Sequence, residues 1–200
     1  MIRPGDRHNW FGKTFKEFSA RMLPWAGLPI CYVEIGVWKG DSAAWVCENI
    51  LTHPQAIGIG IDPYEPDYKR DAAATDRIWC DVVQRMQPWS PRFTLYREKS
   101  QDWLRGPVGR AIDVLYLDGS HLAHDVVLDF AYAFPHLHVG SLVIFDDYRV
   151  SLQKADGIPR VDVAIQAIET GFAGFVQREG EFRRQAALRI VKQPVLGELP

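Results

Sequence analysis

The chain lacks several features that would narrow its function at once. It has no apolar run approaching the ~18 residues of a membrane-spanning helix, so no membrane span is expected. Residues 1–12 contain no long apolar stretch, so no signal peptide is expected either. The 23 Lys and Arg are balanced by 25 Asp and Glu and form no block, which disfavours nucleic acid or another large polyanion as a partner. The three cysteines, Cys31, Cys47 and Cys80, are odd in number and make no CxxC or other metal-ligand spacing. Each sits beside apolar residues and reads as a buried free thiol, which suits a reducing, cytoplasmic compartment. Repeats, low-complexity tracts and long Pro/Gly/Ser linkers are also missing. The 200 residues are therefore expected to form a single domain over 30–200, preceded by a short helical or lid segment over 1–29.

What is present is a regular alternation of apolar runs and amphipathic stretches. Strands are expected over 30–35, 56–61, 92–96, 112–117 and 142–145. Helices are expected over 42–51, 70–87, 100–104, 121–134 and 161–169, the first capped by Asp41 or Ser42. The tail reads differently. Two strand-like runs, 172–177 and 187–191, flank Arg178-Glu179-Gly180-Glu181 and predict a terminal hairpin. The fold class expected is α/β, a Rossmann-like three-layer sandwich. Its sheet would be mostly parallel and seven-stranded, with an antiparallel C-terminal hairpin.

Two of these strands stop on acids. The run 112–117 ends at Asp118-Gly119-Ser120-His121, and the run 142–145 ends at Asp146-Asp147. Ligands bind at the C-terminal strand edge of open α/β sheets. Three carboxylates converging there repel one another unless a cation or shared protons relieve the charge. Magnesium or another divalent cation with oxygen ligands is an economical answer.

The turn after the first strand is Glu34-Ile35-Gly36-Val37-Trp38-Lys39-Gly40-Asp41-Ser42. Gly36 permits a sharp turn, and Gly40 permits close backbone approach to a ligand. Asp62 ends the second strand 26 residues beyond Gly36, where an acid suits ribose hydroxyls. The spacing is not G-x-G-x-x-G, and no P-loop Lys-Ser/Thr follows, which argues against a nicotinamide dehydrogenase. A glutamate in the loop would repel a pyrophosphate and pair with an ammonium, a feature of S-adenosylmethionine. The other reading is a strand–helix turn that needs glycine for geometry alone.

These motifs, VEIGVWKGDS, GIDPY, KSQDWL, LYLDGSH and VIFDDY, resemble in order and spacing the class I S-adenosylmethionine-dependent methyltransferases, and within them the catechol/macrocin O-methyltransferase-like group. The resemblance spans about residues 32–191. It implies an enzyme that methylates a hydroxyl of a small molecule, with a divalent metal assisting. Glu34, Gly36 and Gly40 would line the methionine part of the cofactor, with Ser42 capping the helix beside it. Asp62 would hold the ribose, and Ser100 and Gln101 would meet the adenine. Asp118, Asp146 and Asp147 would be metal ligands, Asp147 standing where the catechol type has Asn.

His121, at the offset of the catechol type's catalytic lysine, would take the acceptor's proton; otherwise it is a cap-region histidine bonded to its own loop. Ser120 would cap the following helix and put His121 in its first turn. Residues 6–11 form either a lid or, with Phe15 and Phe18, part of a helix packed on the sheet. Arg149 and Lys154, in the long loop 149–159, either meet an anionic or sugar acceptor or are plain surface charges. A cephalosporin hydroxylase-like metal enzyme and a non-catalytic S-adenosylmethionine-binding protein are the alternative functions. The sequence leaves open whether the chain forms a homo-oligomer.

Overall fold

A computed structural model describes residues 11–67, 69–148, 157–180 and 183–194. Seven strands, β1 Cys31–Ile35, β2 Ile57–Ile61, β3 Phe93–Tyr96, β4 Ile112–Leu117, β5 Leu137–Phe145, β6 Val176–Arg178 and β7 Ala186–Ile190, form one sheet. The order is β3-β2-β1-β4-β5-β7-β6. The first five are mutually parallel, and β7 runs antiparallel to both β5 and β6. This is the Rossmann-like sandwich that the alternation predicts. Among the described residues, no helix is long and apolar enough to cross a membrane.

Strand alternation divides the core in two. Cys31, Val33, Ile35, Leu115, Leu117, Val143 and Phe145 face one side. There they meet α4 (Ser100–Leu104), α5 (Ala123–Ala133) and α6 (Val161–Gly171). Tyr32, Val114, Tyr116, Leu142 and Ile144 face the other side. They pack with α1 (Phe11–Met22), α2 (Asp41–Asn49) and α3 (Ala72–Met86). In α1, Phe11 stacks edge-on with Phe15 and Phe18, each of these two stacks edge-on with Trp45, and Phe18 meets Tyr116. The segment before β1 thus includes a helix packed onto the sheet. Residues 6–10 of the suggested lid, and most of the loop holding Arg149 and Lys154, lie outside the described residues.

Some details depart from the sequence reading. Cys80 is exposed, because α3 turns it outward while Val82 and Met86 are buried. β5 begins at Leu137 rather than 142, since Leu137 pairs with Ile112 before an irregularity containing Gly140 (φ 99°). Gly40, in the left-handed conformation (φ 72°), caps α2, and neither Asp41 nor Ser42 does.

Candidate active site

The strand ends are level across the sheet. Asp146 N–H donates to Leu117 O (2.9 Å), Asp118 N–H to Ile35 O (2.8 Å), Gly36 N–H to Ile61 O (2.9 Å), and Asp62 N–H to Tyr96 O (3.1 Å). This row of hydrogen bonds brings the residues from four separate sequence motifs to a single edge, the C-terminal edge where α/β proteins hold ligands.

Gly36 sits where two loops touch. A Cβ there would lie 2.2 Å from Asp118 O and 2.5 Å from Gly119 N, and its φ is +91°. Only glycine lets the β1 loop approach the β4 loop so closely. Arg85 reaches from α3 to Lys39 O (2.8 Å) and to the Asp41 carboxylate (2.7 Å), pinning the other end of the glycine loop.

Asp62 ties β2 to the same loop. Its Oδ2 accepts from Trp38 N–H and its Oδ1 from Tyr64 N–H, both at 2.9 Å, and the Tyr64 hydroxyl donates to Trp38 O. Burial raises the Asp62 carboxyl above its ordinary value, and the backbone N–H groups of Trp38 and Tyr64 oppose that rise. A carboxylate has about four acceptor positions, so these bonds leave capacity for ribose hydroxyls.

Glu34 is fully buried. The Tyr32 hydroxyl donates to it at 2.9 Å, and the Ser42 hydroxyl donates to its other oxygen. Ser42 therefore braces Glu34 from inside α2 instead of capping the helix. Burial pushes the Glu34 carboxyl up to about 8, against the pull of those two bonds.

A prediction about stability follows. Glu34 binds its proton more tightly folded than unfolded, where the value is near 4.5. Its contribution is complete below about 4.5 and is lost as pH rises towards 8, at up to about 1.4 kcal/mol per pH unit. Glu34→Gln keeps both hydroxyl partners, one of them reversing its bond, and removes that slope. Urea unfolding at intervals from pH 5 to 8 should show the wild type losing stability more steeply than the variant. Parallel curves would contradict this assignment.

The carboxylates after β4 and β5 share a tyrosine. The buried Tyr116 hydroxyl lies 2.5 Å from Asp146 Oδ2 and 3.3 Å from Asp118 Oδ2. Thr14 of α1 also donates to Asp146 Oδ2 (3.3 Å), and Asp147 N–H donates to Asp146 Oδ1 (2.8 Å). Asp147 adopts φ 56°, a left-handed conformation uncommon outside glycine, Asn and Asp. Burial first, then the neighbouring negative charges, hold the Asp118 carboxyl well above the usual range; burial likewise raises Asp146.

Among the described residues, Asp118, His121 and Asp147 offer ligand atoms within 4.8 Å of one another. His121 Nε2 lies 3.1 Å from Asp147 Oδ2, with the imidazole 42% exposed. Asp146 belongs to the Tyr116–Thr14 network beneath this group. Ser120 accepts from Leu122 N–H and donates to Asp125, while Leu122 is the cap residue of α5. His121 consequently precedes the helix and does not occupy its first turn. The oxygens of Asp118 and Asp147, two mutually repelling acids, fit a divalent cation, and the imidazole of His121 stands beside them.

Ser100 Oγ (2.6 Å) and Gln101 Nε2 (2.7 Å) both donate to Asp129 Oδ1 on α5. Burial pushes that carboxyl up to about 6, and the two donors oppose the rise. Asp129, Tyr116, Tyr32 and Thr14 were not singled out from sequence. Period-two alternation does put Tyr32 and Tyr116 on the same faces as Glu34 and Asp118, a signal that was available. Thr14 and Asp129 meet the site through tertiary contacts alone.

Known proteins share this fold. A family profile described as a methyltransferase domain matches residues 33–148, more than half of the chain. An uncharacterized protein, R132 of Acanthamoeba polyphaga mimivirus, is 25% identical over 174 residues, covering 82% of this chain and 74% of its own. The O-methyltransferase from Bacillus cereus, solved with S-adenosylhomocysteine, superposes with a TM-score of 0.67 at 14% identity, covering 94% of this chain and 84% of its own. The O-methyltransferase TomG from Streptomyces achromogenes, solved with S-adenosylmethionine, gives 0.62 at 14% identity, with 88% and 80% covered. With the family match running from the glycine loop to the second acidic pair, the chain belongs to the class I S-adenosylmethionine-dependent methyltransferases.

Proposed function

We propose that this methyltransferase acts on a hydroxyl oxygen of a small molecule, with a divalent cation at the acidic cluster. The observation that carries this reading is the grouping of Asp118, His121 and Asp147 at the strand edge, with ligand atoms within 4.8 Å of one another. The O-methyltransferases of similar fold support it.

When bound, S-adenosylmethionine would supply a methyl group on a cationic sulfur, and a divalent cation, which Asp118 and Asp147 would hold, would lower the pKa of a hydroxyl. The chain's own residues do the rest. Asp62 grips the ribose, and Gly36 and Gly40 leave room for the methionine part at the loop. Ser100 and Gln101 border the adenine. Asp147 orients His121 through Nε2, which keeps the Nδ1 lone pair for the acceptor's proton. Positioning the oxygen in line with the methyl carbon supplies much of the acceleration. α1, with Thr14 against Asp146, shields the cluster from one side.

The test is methyl transfer from labelled S-adenosylmethionine to a panel of phenols, catechols and sugar hydroxyls, with and without chelator. Transfer to oxygen that stops with chelator and returns with magnesium is expected. Full transfer in chelator would sink the cation reading, and transfer to nitrogen alone would sink the oxygen reading.

A further inference from the structure

The link between α4 and α5 bears on how the nucleoside base is chosen. We propose that Asp129 is a positioning residue that fixes the orientation of the Gln101 side-chain amide, so that its carbonyl oxygen is presented to the base and selects a 6-amino purine over a 6-oxo purine. The inference rests on the reading of Ser100 and Gln101 as the adenine edge of the cofactor site.

Asp129 is 4% exposed and its Oδ1 takes two donors, the Ser100 hydroxyl and the Gln101 amide nitrogen, at 2.6 and 2.7 Å. An ionised carboxylate only accepts, so the end of the Gln101 amide that faces it has to be the NH2 group. The opposite assignment would set a carbonyl oxygen against a carboxylate. With the nitrogen committed inward, Gln101 Oε1 is left as an outward acceptor, and it is not among the buried atoms that lack partners. Adenine offers a 6-amino donor to such an acceptor. Hypoxanthine offers a 6-oxo acceptor, which leaves two acceptors facing each other.

Asp129 is set up for this task. It lies one α5 turn beyond Asp125, which is occupied by the Ser120 hydroxyl. Its carboxyl value of about 6 leaves it ionised at pH 8, where its acceptor-only character holds. An asparagine in its place can turn its own amide, accept or donate, and so let Gln101 flip.

The experiment is titration calorimetry at pH 8 with two probes, S-adenosylhomocysteine and S-inosylhomocysteine, on the full chain and on Asp129→Asn. The wild type should prefer the adenosyl compound by about 30-fold, the size of one buried unmatched polar group. Asp129→Asn should cut that ratio to about threefold or less. A merely structural role would weaken both ligands alike or shift the melting temperature, with the ratio unchanged, and that result overturns the proposal. Asp129→Ser, which can also both donate and accept, gives the same test if the first variant does not fold. Wild-type protein that binds neither compound would refute the cofactor-site reading itself. Wild-type protein that binds both equally would refute only the role given to Asp129 and Gln101.

Discussion

Gly36→Ala should lower the melting temperature by about 8–20 °C and abolish binding of S-adenosylhomocysteine. The added Cβ would lie 2.2 Å from the Asp118 carbonyl oxygen and 2.4 Å from its carbon. Both are backbone atoms, so no flexible side chain can move aside. The φ of +91° adds strain of order 1–3 kcal/mol. A total of about 4–5 kcal/mol sits at the severe end of single substitutions, and each kcal/mol is worth roughly 2–4 °C in a chain of this size. The control is Gly40→Ala. Its φ is also left-handed, but the nearest atom to a Cβ there is Met86 Sδ at 3.6 Å. That change costs only the backbone term, about 1–2 kcal/mol. Calorimetric melting of both variants checks the contrast, and equal shifts would show that the contact between the β1 and β4 loops matters little.

Asp118→Asn should reduce methyl transfer about 10³-fold while the fold melts at the same or a higher temperature. The two effects separate because Asp118 is kept at the site at a cost. Burial, Asp146, Asp147 and Glu34 all disfavour its charged form. An asparagine keeps an oxygen for the Tyr116 hydroxyl and sheds the charge, which relieves the folded state. The same charge is what the proposed reaction uses to hold a cation and align the acceptor oxygen. Turnover and melting curves on one preparation decide it. A fall in stability that tracks the fall in activity would mean Asp118 is only a structural acid.

The strand-edge part of the site was legible because apolar runs in a parallel sheet must stop at its C-terminal edge, and the residue types at the stops were unusual. Asp62, Asp118 and Asp146 fall on one hydrogen-bonded row for that reason. The capping roles of Ser42 and Ser120 were misread because each hydroxyl has a stronger demand nearby. Buried Glu34 takes Ser42, and Asp125 takes Ser120, while backbone conformation leaves the cap positions to Gly40 and Leu122. Which of Asp146 and Asp147 joins His121 was not readable either. Adjacent residues diverge in direction at a strand end, and Asp147's left-handed φ turns it towards His121. The bond from Thr14 to Asp146 spans 132 residues, and no local pattern encodes such a pair.

The acidic cluster is the centre of the account, and manganese binding followed by electron paramagnetic resonance in the presence of S-adenosylhomocysteine tests it most directly. The wild type should take up one manganese ion per chain, in competition with magnesium, and Asp118→Asn and Asp147→Ala should not. No uptake by the wild type, or uptake equal to that of the variants, would contradict the proposed cation site and leave the methyltransferase with proton transfer by His121 alone.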